Sequence, residues 1–161
     1  MDKLGLVQTH NPVEILSVAS QLGVVLPSEI AVSLLRDPAP SVRAAACGCV
    51  RAGHELIAEL ISMMGDPEIE VAIASACALG HIGHAEARRP LKRYLAERPS
   101  LRIVEALSRV AADDEALVLL SRTGRARHEL IKPAISALEE IESPRALNAA
   151  NALKRFSRRT E

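Results

Sequence analysis

Aromatic residues are almost missing from this 161-residue chain, which has one tyrosine, one phenylalanine and no tryptophan. Its 48% hydrophobic content must therefore come mainly from alanine, leucine, isoleucine and valine, residues that suit closely packed helices. Strand signals are also missing. There is no sustained apolar–polar alternation and no Asn-Gly or Asp-Gly hairpin turn, which argues against a β fold. Excess charge of either sign is absent, with 20 basic and 20 acidic residues, whereas a dedicated nucleic-acid binder is usually clearly basic. Only three cysteines occur, Cys47, Cys49 and Cys77, an odd number without framework spacing that fits a reducing compartment. The start lacks the basic-then-apolar order of a secretion signal, so a cytoplasmic location is expected. The apolar stretch from Ile15 to Leu35 is interrupted by Pro27-Ser28-Glu29 and reads as two amphipathic helices, not a membrane span. Catalytic motifs are missing too: no Gly-x-Ser-x-Gly elbow, no glycine-rich phosphate loop, no His-Glu-x-x-His. No catalytic residue and no cofactor is expected.

What is present is a repeat. Gly65-Asp66-Pro67 is a turn and helix start, since Asp caps free amides and Pro is tolerated in a first helical turn. Val71, Ala74, Ser75, Ala78, Leu79 and Ile82 follow at helical spacing and form a narrow face of small residues. Gly80-His81-Ile82-Gly83 supplies the left-handed stop. A second helix follows from about Ala85 to Leu95, with Ala87, Leu91, Tyr94 and Leu95 on its inner side. A hairpin of this size cannot bury its own apolar face, so copies must stack on it.

Those copies are visible. Leu22, Val50, Leu79, Leu107 and Leu138 hold equivalent positions at intervals of 28, 29, 28 and 31. The Asp37-Pro38 and Asp66-Pro67 turns are 29 apart. The first stripe is read as Ile15, Val18, Ala19, Leu22 and Val25 on one helix, with Ile30, Val32, Leu34 and Leu35 on its mate. The expectation is one all-α domain over residues 1–161, a solenoid of about five hairpins with repeats near 11–36, 37–64, 65–95, 96–121 and 122–155 and a basic tail at 154–161.

Asp37-Pro38 with Val42-Arg43-Ala44-Ala45-Ala46, and Val71 leading through Ala78-Leu79-Gly80-His81-Ile82-Gly83 to Ala87-Arg88-Arg89-Pro90-Leu91, resembles the short HEAT-type repeat named after phycobilin lyases. The match is close in residues 65–95, good in 37–64 and looser elsewhere. Ala72 stands where that repeat usually has arginine, so a ladder of Asp–Arg pairs between turns would be incomplete. The resemblance implies a right-handed superhelix whose second helices line a concave, protein-binding surface. Scaffolds, adaptors and a few enzymes share the repeat, so it specifies fold better than function.

On that reading the second helix of the central repeat is the candidate site. Arg88, Arg89, Lys92 and Arg93 crowd it beside Tyr94, and Arg and Tyr are typical interface anchors. Glu55 and Glu59 on the preceding second helix would give an acidic row beside the basic one. A solvated charged face is the plain alternative for both rows. Cys77, His81 and His84 stand at i, i+4 and i+7, a weak metal pattern that His54 would complete, against a surface cysteine beside a histidine. Charge is polarised: residues 1–76 carry nine acids and four bases, residues 77–161 eleven acids and sixteen bases. The expected partner is another protein, with association between copies through exposed solenoid ends as a further possibility. The expected function is a non-catalytic scaffold, adaptor or inhibitor; the alternatives are a lyase-like or enzyme-associated role and weak nucleic-acid binding.

Overall fold

Turn chemistry starts the helices. The Asp37 carboxylate accepts from the Ala39 amide at 2.8 Å, and Asp66 accepts from Glu68 at 2.9 Å. The same device recurs where Asn11 accepts from Val13 and Asp113 from Ala116. Each satisfies an amide that a helix start leaves without an internal partner. A computed structural model describes residues 11–50, 54–111 and 113–160, leaving aside the side chains of His54 and Glu55. These residues form helices and turns, with no strand among them. The α-helices are α1 (Pro12–Gln21), α2 (Ser28–Leu35), α3 (Pro40–Cys49), α4 (His54–Met63), α5 (Ile69–Ile82), α6 (Arg88–Glu97), α7 (Leu101–Val110), α8 (Asp114–Ala126), α9 (Ile131–Glu140) and α10 (Pro144–Thr160). Single 3-10 turns at Ala85–Ala87 and His128–Leu130 lead into α6 and α9.

The chain divides within α5, between Ser75 and Ala76, into two packed units. In the first, α3 receives both α1 and α2, and α2 also packs on α4. The Cys49 thiol donates to the Leu16 carbonyl and the Ser20 hydroxyl to the Gly48 carbonyl. Ser75, fully buried, donates to the Leu60 carbonyl. The core side of α2 is Ala31 and Leu35, each 1% exposed.

The first hairpin corrects the expected stripe. Ile15, Val18, Leu22 and Val25 are 52%, 52%, 75% and 66% exposed, and Ile30 on α2 is 51% exposed. Leu16, one residue round from Ile15, is the buried contact of α1. At three and seven residues from Ile15, Val18 and Leu22 share its face, which is turned from α3. The stripe is regular but looks outward.

In the second unit α7 packs on α9, α6 and α10 on α8, and α9 on both α8 and α10. Here the repeat positions do what the period predicts: Leu79, Leu107 and Leu138 are fully buried, as Val50 nearly is in the first unit. Gly83, at φ +83°, makes the left-handed stop of α5, with the His84 amide bonded to the Leu79 carbonyl at 2.9 Å. Gly80 has a different task from the stop signal first assigned to it. It lies inside α5, where a Cβ would come within 2.8 Å of the Ala106 side chain and carbonyl and 2.9 Å of Leu91. Gly124 in α8 is crowded in the same way, against Leu153 and Ala134. No described helix is long and apolar enough to cross a membrane.

Candidate functional site

Helix α6 divides its residues by angle. Leu91, Tyr94 and Leu95 recur at helical spacing and are buried. Tyr94 is 1% exposed and is the largest fully buried side chain among the described residues. This corrects its placement as an exposed aromatic anchor: its neighbours on the stripe are both leucines, and the ring goes where they go.

Arg88 and Lys92 flank that stripe and are half-buried. Arg88 Nε donates to the Val110 carbonyl at 2.7 Å, satisfying an oxygen that the end of α7 leaves without a helical partner. Lys92 Nζ donates to Glu115 at 2.5 Å and Asp113 at 3.2 Å. The Glu115 bond holds the lysine above its ordinary range, against the pull of burial, and Asp113 adds to it. Asp113 in turn lies below the usual carboxylate range, first through the Ala116 amide and then, with burial opposing, through Lys92. Two of the four expected basic contacts are thus engaged inside the fold.

Arg89 and Arg93 point outward. The Arg93 guanidinium lies 4.9 Å from the Tyr94 ring centroid, and its Nη2 donates to Tyr94 Oη at 3.1 Å. The tyrosine therefore still contributes, by holding the arginine in place. Arg89 carries no ion pair among the described residues.

The acidic row is different from the expected one. Glu59 accepts both Arg36 Nε at 2.8 Å and Nη2 at 3.0 Å, and that bond depresses its pKa against a smaller opposing effect of burial. Its carboxylate bridges α4 to the end of α2. The Glu55 side chain lies outside the described residues, as does that of His54. Cys77 is buried, 6% exposed, and not beside His81 in solvent; burial pushes its thiol up to about 11. No cluster of three His, Cys, Asp or Glu side chains able to hold a metal ion occurs among the described residues.

A second feature was not singled out in the sequence. Leu117, Val118, Ser121, Arg122 and Arg125 run down one side of α8, and with Arg145 and Ala149 of α10 they line an open groove of about 470 Å³. Its floor is mostly apolar, and Val118 is 56% exposed. Arg145 pairs with Asp114 at one end, and Arg125 lies 6.0 Å from the Phe156 ring centroid at the other. The spacing of Asp114, Val118, Arg122 and Arg125 is the signal that would have found it.

Residues 28–108 match the model of a family described as HEAT repeats. The chain belongs to the HEAT-repeat family. Its matched part runs from α2 to α7 and includes both Asp-Pro turns and the whole of α6. No curated protein and no solved structure matches the chain. HEAT repeats commonly mediate protein–protein interaction, and membership makes these helices a helical repeat without naming a partner.

Proposed function

We propose that this HEAT-repeat chain is a non-catalytic scaffold, adaptor or inhibitor that binds another protein through its even-numbered helices. In this reading the chain is a right-handed solenoid of about five hairpins of the short lyase-like type, and the even helices line its concave side. The carrying observation is the division of labour on α6: Arg88 and Lys92 are tied to α7 and α8, while Arg89 and Arg93 present guanidinium groups outward. Guanidinium forks pair with carboxylates in two-pronged geometry, so the fitting partner presents acidic side chains. A rigid helix face that needs no reordering loses little entropy on binding.

The test is affinity capture from lysate of the source cell with wild type and the Arg89→Glu, Arg93→Glu variant, eluates being identified by mass. A protein retained by wild type and lost from the variant supports the reading and names the partner. Equal retention by both removes α6 as the site. Retained nucleic acid, released steeply by salt, would replace a protein partner with a phosphate backbone.

A further inference from the structure

Two surfaces described above complement each other. The first is the outward face of α1, where Ile15, Val18 and Leu22 are half to three-quarters exposed. Residues 11–35 contain Glu14 and Glu29 and neither lysine nor arginine. The second is the groove of α8 and α10, with Leu117, Val118 and Ala149 on its floor and Arg122, Arg125 and the Arg145–Asp114 ion pair around it, so that the unbalanced charge is that of Arg122 and Arg125. One surface is apolar and acidic, the other apolar and basic. At about 1.5 Å per residue, Ile15 to Leu22 spans roughly 10 Å and Asp114 to Arg125 roughly 16 Å, so the row of side chains fits within the groove.

The geometry points to a head-to-tail contact in which α1 of one copy lies in the α8–α10 groove of a second copy. Ile15, Val18 and Leu22 enter the groove as a row of knobs, the way one helix packs its ridge between two others. Glu14 and Glu29 lie among the arginines at its edge, where complementary charge steers encounter and sets direction. Contact between two α1 faces would instead bring like charges together. A head-to-tail contact leaves one free groove and one free α1 at the ends, so chains grow with concentration unless the rotation closes a ring.

Light scattering and sedimentation of the full chain over a range of concentrations provide the test. Wild type is expected to gain mass with concentration at low salt, and less so at high salt. Arg122→Glu with Arg125→Glu, or Val18→Asp with Leu22→Asp, should each weaken association at least roughly tenfold. All four positions are exposed, and circular dichroism checks that both variants stay folded. The deciding sample is the two variants mixed. One keeps an intact α1 and the other an intact groove, so the mixture should form a species of twice the chain mass and stop there. Wild type that stays monomeric overturns the proposal. Association that survives in the groove variant, or a mixture that stays monomeric, overturns it equally. Arg89→Glu with Arg93→Glu should leave self-association unchanged, which separates this contact from the one proposed for α6.

Discussion

Arg43 grips Asp66 with two parallel bonds, Nε to Oδ2 and Nη1's neighbour Nη2 to Oδ1, both 3.0 Å. Nη1 of the same arginine donates to the carbonyls of Asp37 and Pro38. One side chain therefore links the turn before α3 to the turn before α5. This is a rung of the ladder the motif implies, and Ala72, buried at 2% exposure, stands where the next rung would begin.

The rung gives stability a pH dependence. The Arg43 bond depresses the pKa of Asp66, with burial opposing and the Glu68 amide adding, and Arg36 does the same to Glu59. A depressed carboxylate contributes fully above its unfolded value, about pH 4, and loses that contribution as pH falls through the folded one. Wild type should therefore lose stability below about pH 4 more steeply than Asp66→Asn with Glu59→Gln, as followed by urea melts at several pH values. At neutral pH the variant should be the less stable of the two.

Gly80 should resist enlargement. Alanine gains roughly 1 kcal/mol of helix propensity over glycine. Its Cβ would meet Ala106 at 2.8 Å, backbone included, and overpacking of that kind costs about 1–3 kcal/mol. Gly80→Ala is expected to lower the urea midpoint. A raised midpoint would mean that α7 can retreat at no cost.

Tyr94 separates packing from recognition. Tyr94→Ala should cost about 3–5 kcal/mol, the range for emptying a large aromatic site. Tyr94→Phe keeps the ring and loses only the oxygen that Arg93 donates to, for about 1 kcal/mol or less. Equal losses in the two variants would show that the hydroxyl, not the ring, holds the site.

Charge reversal at Arg89 and Arg93 should leave the fold standing. Arg89 is exposed, and Arg93 contributes an interaction with the Tyr94 ring of about 0.5–1 kcal/mol. The double variant should melt within about 1 kcal/mol of wild type. A larger loss would mean that these arginines serve the fold.

The thiols should be silent in the folded protein. Cys47 and Cys49 are 0% and 1% exposed, and Cys77, raised to about 11, is protonated at pH 8. An aromatic disulfide reagent at pH 8 should find no fast-reacting cysteine in native protein and three in urea. Rapid reaction of one native thiol would reveal an opening of the fold near it.

The buried leucines at the repeat positions were legible because each occupies the same place against the next helix. Leu22 shares the period yet is exposed, since a period reports the face a residue lies on and not whether another helix covers it. The roles of Arg88 and Lys92 were hidden for another reason. Their partners, Val110 at the end of α7 and Asp113 and Glu115 at the start of α8, lie 21–23 residues onward, and no local pattern joins them. For Tyr94 two readings competed, inner stripe and surface anchor, and the spacing with Leu91 and Leu95 was the better guide. The spacing of Arg122 and Arg125 marks only one side of α8, and the groove is completed by Arg145 and Ala149 from another helix.

On α6 the residues that hold the helix in the stack and the residues that meet the outside are different residues. Leu91, Tyr94 and Leu95 do the first, and Arg89 the second. Such a helix can change its correspondent without renegotiating its place. If α6 binds as proposed, substitution at the outward positions rewrites what is recognised while the repeat, read from inside, stays the same text. A lineage can thus inherit the architecture and revise the message one side chain at a time.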